Sequence, residues 1–571
     1  MNTPAPPTWP YCAHDADPAT DPVGCPGIHV PGHTVCLAHL TDADRNTYLA
    51  GLAPGADIDH RGTTFTGSLL HSLTTALHDS ATDTARFGRA RFDSATFEDE
   101  ALFDSATFED EALFDSAVFQ HVAFFSYAVF KHRAVFSSAV FQHGATFEAA
   151  TFEDNARFHS ATFGGGALFD HAVFQRDAVF SSAVFKHSAR FEAATIRMGA
   201  WFTSATFEKA DRLGPLACAW RVDLSGATFG GPVTLEFATR HLECRRTRWA
   251  ATAEIRLRHT TVDLSHAVFE YPLTIAAEPA PFVLAGNSEL AATGFGPGTV
   301  RMASLRGVDA AHLVLSDIDL SACLFTGTVH LDQLRLEGAC TFDTPPAASW
   351  LRWPPVRFTK RRVLAEEHHW RAAQPGAVQG WDSPEPGTGR AGPLQLAPVY
   401  RALRKSFEDS KHEPGAADFY YGEMEMRRHA DDIPRAEWWL LTAYWALSGY
   451  GLRASRALAW LGAAMLLTIG LLMGFGIAQD TPKQTATGTV PPGGGKVTFA
   501  IDKDDPKNPT GNRFTGERFE KALNVTLNSV VFRSSGQDLT TAGTYIEMTS
   551  RLAEPVLLGL AVLAIRNRVK R

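Results

Sequence analysis

Cysteine is scarce in this 571-residue chain: seven residues, an odd number, with Cys12, Cys25 and Cys36 crowded into the first 40. That usage argues against a secreted disulfide framework. The first 30 residues hold no basic stretch followed by an apolar run, so no secretory leader is expected there. Strong charge is missing too. A net charge of −9 is mild for this length and does not point to nucleic acid. Nor is there a phosphate-cradling glycine loop, a nucleophile–base pairing or an open catalytic metal signature. These absences together predict a non-enzymatic protein whose bulk stays in a reducing compartment.

What the chain does contain is a repeat. Ala90 to Ala210 reads as eleven consecutive units of eleven residues, beginning ARFDSATFEDE and ALFDSATFEDE. Ala takes the first and sixth places and Phe the third and eighth, with Ile196 alone replacing a Phe. An eleven-residue period fits three helical turns. At about 98° per residue, however, the apolar places of one unit fall at roughly 0°, 131°, 196° and 327°. They would ring a helix and leave no stripe to bury. In an extended chain, each A-x-F triplet puts a small and a large side chain on one face, and the residue between them suits an outward strand position.

A-x-F-x-x repeated end to end resembles the pentapeptide-repeat family. The resemblance implies a right-handed, four-sided β-helix, with Phe and the small residue two places before it pointing inward. The step here alternates between five and six residues, the extra one following every second Phe (Glu100, Glu111, Val122, Arg133, Gly144). A wider corner at these places gives about 22 residues per coil, and the 121 residues make a rod of about 26 Å. The same spacing persists at 222–229, 262–269, 318–325 and 337–342, so the β-helix is expected over residues 81–342, most regular at 90–210. Cys323 and Cys340 take the small inward place before Phe325 and Phe342.

Residues 1–40 form a Cys/His-rich arm with little core of its own. Cys12, Cys25, Cys36 and His39 are candidate ligands of one structural zinc, the last two as a CxxH pair; free thiols on a flexible arm are the alternative. Residues 41–80 read as a helical cap over the first coil. TDADRNTYLAGL opens on a Thr N-cap, and Leu69, Leu70, Leu73 and Leu77 share a face of a second helix. Pro- and Gly-rich residues 343–394 read as a linker holding the basic cluster Lys360, Arg361 and Arg362. Residues 395–450 read as a helical juxtamembrane segment. In it, Glu423 and Glu425, two apart on a helix, predict a solvated or Arg-paired role and no acid–base chemistry.

Ala457–Ala478 is an uncharged run of 22 residues, about 33 Å as a helix and enough to cross a bilayer. Arg453, Arg456 and a cluster of Trp and Tyr precede it. A second, weaker span is expected over 545–565, followed by RNRVKR; Arg551 and Glu554, three apart on one face, either pair or mark an interfacial helix. Both basic flanks predict a multi-pass protein of the cell membrane, with the N-terminal bulk and C-terminus cytoplasmic and 479–544 outside. This end resembles the two-helix pore unit of potassium-type channels. The resemblance implies a short pore helix carrying Phe519, Leu523, Leu527, Val530 and Val531, then a filter loop over Thr540–Tyr545. A second Gly, and an aromatic between the two, are missing from that loop.

Three functional readings follow. The first is a membrane-anchored scaffold that offers its β-helix to a cytosolic protein and is open to homo-oligomerisation. The second is a channel-like protein. The third follows pentapeptide-repeat proteins that bind DNA gyrase through acidic faces: residues 90–122 hold nine acids against Arg91, but 123–210 are close to neutral, so no DNA-like charge track runs along the rod.

Overall fold

The computed structural model describes residues 6–17, 21–284, 289–290, 298–347, 358–384, 389–479 and 483–569. Parts of the expected linker (348–357 and 385–388) and the last two residues of the basic C-terminus lie outside that range. The chain forms two compact units, residues 1–395 and 396–571.

In the first unit, short parallel strands stack in a register of 22 residues: Ala90 on Ala112, Phe97 on Phe119, Ala101 on Ala123 and Phe108 on Phe130. Four strands complete each coil, and the result is a β-solenoid of about 11 turns. Inward Phe rings sit face to face with their copies one coil away, as Phe97 does with Phe119 (4.7 Å, 3°). Within the coil they meet edge-on, as Phe114 does with Phe125 (5.6 Å, 84°). Both geometries suit the ring quadrupole.

The two corner types alternate as the spacing requires. After one Phe the chain turns in two residues, with the Ala95 N–H donating to the Phe92 carbonyl (3.0 Å) and Ser94 left-handed at φ 56°. That is a type II-like turn, and it recurs every eleven residues through Ser204. After the next Phe, three residues make the wider corner.

Beyond Ala210 the coil tightens. Arg212–Asp223 and Val233–Glu243 each run as one long strand, and the register falls to 20, with Val233 on Ala253 and Phe229 on Trp249. Trp249 takes the Phe place on the column, stacked 4.3 Å from Phe229.

The first coil starts before residue 81. Ile58–Asp59 and Thr64–Phe65 already pair with Ala90–Arg91 and Thr96–Phe97. Helix α1 (Asp42–Ala50) and helix α2 (Gly67–Ala76) flank these strands, and Leu69, Leu70, Leu73 and Leu77 are buried. At the other end, a piece of the expected linker is ordered structure. Helix α3 (Ala365–Ala372) follows a bridge between Asp343 and Val363. Its Glu366 carboxylate accepts from the backbone N–H groups of Phe325 (2.5 Å) and Thr326 (2.9 Å) and from the Thr326 hydroxyl (3.0 Å). These donors sit at the end of the ladder, so α3 closes that edge as a cap.

The second unit is helical: α4 (Pro393–Asp409), α5 (Glu413–Arg428), α6 (Arg435–Ser448), α7 (Ala454–Leu471), α8 (Gly516–Val530) and α9 (Thr541–Val569). Glu423 is buried and paired with Arg401 and Arg404, each at 2.8 Å; Glu425 is buried and paired with Arg428. Two helical stretches are long and apolar enough to cross a membrane, Ala454–Gly476 and Thr541–Arg566.

Two local expectations fail at this end. Thr541–Tyr545, expected as a filter-like loop, are the first turn of α9. The Thr540 side chain caps that turn, accepting from the Gly543 N–H (3.1 Å) and donating to the Phe475 carbonyl (2.7 Å). Gly543 lies against Gly476, where a Cβ on Gly543 would fall 2.3 Å from the Gly476 carbonyl oxygen. Helix α8 forms where the short helix is expected; it turns Phe519 and Leu527 outward and packs through Ala522, Val525, Thr526 and Ser529. The other departure is that Arg551 pairs with Glu547 one turn earlier, while Glu554 is buried and accepts from the Thr468 hydroxyl of α7 (2.9 Å).

Candidate metal centre and outer surface

The four ligand candidates, scattered over 28 residues of sequence, meet at one point. Backbone pairing brings them there: the Cys12 N–H donates to the Gly27 carbonyl (2.8 Å) and the Cys25 N–H to the His14 carbonyl (3.0 Å). Cys36 precedes a 3-10 turn, Leu37–His39, that swings His39 back over it. Cys25 Sγ lies 3.7 Å from Cys36 Sγ, and His39 Nδ1 lies 3.4 Å from Cys36 Sγ and 3.5 Å from Cys12 Sγ. All four ligand atoms fall within 4.8 Å of one another.

Tetrahedral zinc, with bonds of about 2.3 Å to sulfur and 2.0–2.1 Å to nitrogen, sets sulfur–sulfur edges near 3.8 Å and sulfur–nitrogen edges near 3.5 Å. The three edges measured above match. The cluster can therefore hold a metal ion, and four protein donors leave no open position for a reacting water. Without metal, the Cys36 thiol donates to Cys25 and holds its pKa down, to about 5, while the same contact and burial push Cys36 up.

Sequence reasoning grouped these four residues but missed what seats them. Gly27 is required: a Cβ there would lie 2.6 Å from Cys36 Cβ. Gly62, at φ 65°, presses on the Pro26 carbonyl in the same way. The Ile28 N–H donates to the Arg61 carbonyl (2.8 Å), and the Arg61 guanidinium lies over the Trp9 ring. These contacts fasten the arm to the first coil, so the cluster belongs to the N-terminal cap.

Beneath that cap, His60 is fully buried between Tyr48, Phe65 and Phe92. Burial lowers its pKa from 6.5 to about 4. Between those values the unfolded chain binds the extra proton, so stability is present above pH 6.5 and is lost as pH falls towards 4. The full loss is about 3 kcal/mol. Denaturant unfolding of wild type and His60→Leu over this range should show a steeper acid decline in wild type; equal slopes would contradict it.

The remaining cysteines are structural. Cys218, Cys244 and Cys323 are buried, and desolvation raises their thiol pKa values.

On the outer surface, the acidic corner Glu109–Glu111 of the first units is paired with cations of neighbouring coils. Glu109 meets Arg86 and Lys131, and Glu111 meets Arg89 and Arg133. Asp93 meets Arg91, and Asp154 meets Arg176. The acidic segment thus borrows cations from its neighbours at that corner. Another side is apolar: Leu102, Phe124, Thr146 and Leu168 stand in register on successive coils, with Leu102 51% and Tyr127 62% exposed.

Residues 125–173 and 169–214 match the pentapeptide-repeat family (pentapeptide repeats, 9 copies). No curated protein and no solved structure matches the chain. The solenoid is a pentapeptide-repeat β-helix.

Proposed function

We propose that this pentapeptide-repeat protein is a non-enzymatic scaffold, held at the cell membrane by α7 and α9, that offers its solenoid to a cytosolic protein partner. The observation that carries this reading is the division of the coil into a filled interior and a varied exterior. Phe and Ala occupy the inside of every regular coil, fully buried, so only outward side chains are free to recognise anything. The in-register stripe of Leu102, Phe124 and Leu168, with Tyr127 beside it, is the apolar part of that exterior. Solenoid sides of this kind suit protein partners, and no nucleic acid is expected for a chain of net charge −9.

Membrane attachment is supported by side chains that the second unit leaves outward. On α7 these include Trp460, Leu466 and Leu467, and on α9 Met548, Leu552, Val556 and Val562. Trp438, Trp439 and Leu440 of α6 are likewise exposed, as an interfacial helix requires. Arg453 and Arg456 before the first span, and Arg566 and Arg568 after the second, favour cytoplasmic flanks with 479–544 outside. Zinc is the ion that the Cys12, Cys25, Cys36 and His39 donor set suits best, in a structural role.

Two measurements test the proposal. The full chain should stay in the membrane pellet after an alkaline wash. In-cell crosslinking should capture one dominant protein adduct, reduced at least tenfold in a Leu102→Glu, Tyr127→Glu variant, since losing about 1.4 kcal/mol of apolar burial is worth that factor. Release by the wash would end the anchor reading, and adducts indifferent to both substitutions would end the scaffold reading on this side.

A further inference from the structure

The C-terminal cap holds a second group of ligand types, unconnected with the first. His368, on α3, is only 2% exposed, yet neither ring nitrogen has a hydrogen-bond partner. Its Nε2 lies 3.6 Å from an Asp343 carboxylate oxygen, and its Nδ1 lies 3.6 Å from an Asp382 carboxylate oxygen. One ligand atom from each of the three residues falls within 4.8 Å of the other two.

These distances are too long for hydrogen bonds. A neutral imidazole carries one N–H that needs an acceptor, and a protonated one carries two; leaving a donor unmet in a buried place costs about 1–3 kcal/mol. A metal ion with bonds of about 2.0–2.2 Å to nitrogen and oxygen sets its ligand atoms about 3.2–3.6 Å apart; the 3.6 Å contact of whichever ring nitrogen binds falls in that range, and the other two edges lie within 4.8 Å.

We propose that Asp343, His368 and Asp382 form a second metal site, for a divalent cation that accepts mixed nitrogen and oxygen donors, such as Mn²⁺ or Zn²⁺. Three elements converge there. Asp343 ends the last coil, where its carbonyl accepts from the Val363 N–H (2.9 Å). His368 comes from the helix that caps the ladder. Asp382 comes from the loop after Gly376, a loop anchored by Trp381, whose ring meets His368 edge-on at 4.9 Å and Phe358 at 5.0 Å.

The nearby cations do not occupy the site: Arg361 and Arg371 both bind the buried Glu367 carboxylate. The Asp382 side chain is 72% exposed, so an ion can enter beside it and keep water on its remaining positions. Two carboxylates and one imidazole suit Mn²⁺ and Zn²⁺, whereas the thiolates of the N-terminal cluster discriminate against Mn²⁺. The bound ion would staple the 376–384 loop across the cap, so both ends of the solenoid would be closed by a metal.

The test is Mn²⁺ titration of the detergent-purified full chain, read by electron paramagnetic resonance. Wild type and Cys25→Ser should each bind one Mn²⁺ per chain. Asp382→Asn, which alters an exposed side chain, and His368→Gln should bind at least tenfold more weakly. No Mn²⁺ binding by wild type, combined with a zinc content of one per chain, would overturn the site. So would Mn²⁺ binding that Asp382→Asn leaves unchanged.

Discussion

Removing metal from the cluster of Cys12, Cys25, Cys36 and His39 is expected to unfold residues 6–40 while the Phe column stays intact. The arm has little else to hold it. Its buried apolar side chains are essentially Val23, Val30, Leu37 and Leu40, each worth about 2 kcal/mol. A structural zinc contributes about 10–16 kcal/mol in comparable small sites at neutral pH. Amide hydrogen exchange with and without a chelator reads the effect directly: protection over 6–40 should fall at least a thousandfold, and Cys36→Ser should do the same without chelator. Protection over 90–210 should change little, because coils in a solenoid depend on their neighbours and not on a distant end. If Cys25 and Cys36 were joined by a disulfide, protection would survive the chelator and fall only with a reductant. That pattern would refute the metal centre.

How far the sequence could be read depends on whether a residue's partner is near or repeated. The 22-residue coil was legible because every A-x-F triplet meets its own copy, so a local rule sets the long-range contact. The alternation of tight and wide corners was legible for the same reason. The ligand set was legible by residue type, although the hairpin that gathers it, through Gly27 and His14, left no clear signal in the spacing. Helix α3 was hidden among Pro and Gly because what fixes it is distant, the Phe325 and Thr326 N–H groups some 40 residues earlier. Thr540 could not be recognised as a helix cap from its neighbours alone. Its hydroxyl answers to Phe475, 65 residues away, and that contact turns a filter-like run of residues into a helical turn. Arg551 illustrates the same limit at short range: spacing permits pairing with either Glu547 or Glu554, and the Thr468 hydroxyl of α7 takes Glu554.

Phe136→Ala should cost the solenoid about 4–5 kcal/mol, near the top of the range for a buried aromatic. Phe136 is fully buried, stacked on Phe114 (4.9 Å) and Phe158 (5.0 Å) and edge-on to Phe125 (5.4 Å) and Phe147 (5.3 Å). The cost stays high because the wall cannot close in on the gap. The strand ladder fixes each side of the coil: the Phe136 N–H donates to the Arg157 carbonyl (2.6 Å), and the Phe114 N–H donates to the Val135 carbonyl (2.7 Å). A cavity that cannot collapse keeps its full penalty, and the lost ring pairs add to it. Phe124, one strand away, faces outward and is half-buried, so Phe124→Ala should cost about 1 kcal/mol, as surface-facing positions do. The same ring type at neighbouring places thus separates interior from exterior. Denaturant midpoints at equal m-values would report both costs, and equal losses at the two positions would contradict an inward Phe column. The chain has already made a milder version of this change at Ile196, fully buried at a Phe place. Phe136→Ile should therefore fall well short of the alanine cost, because a β-branched side chain refills most of the volume even though it cannot stack.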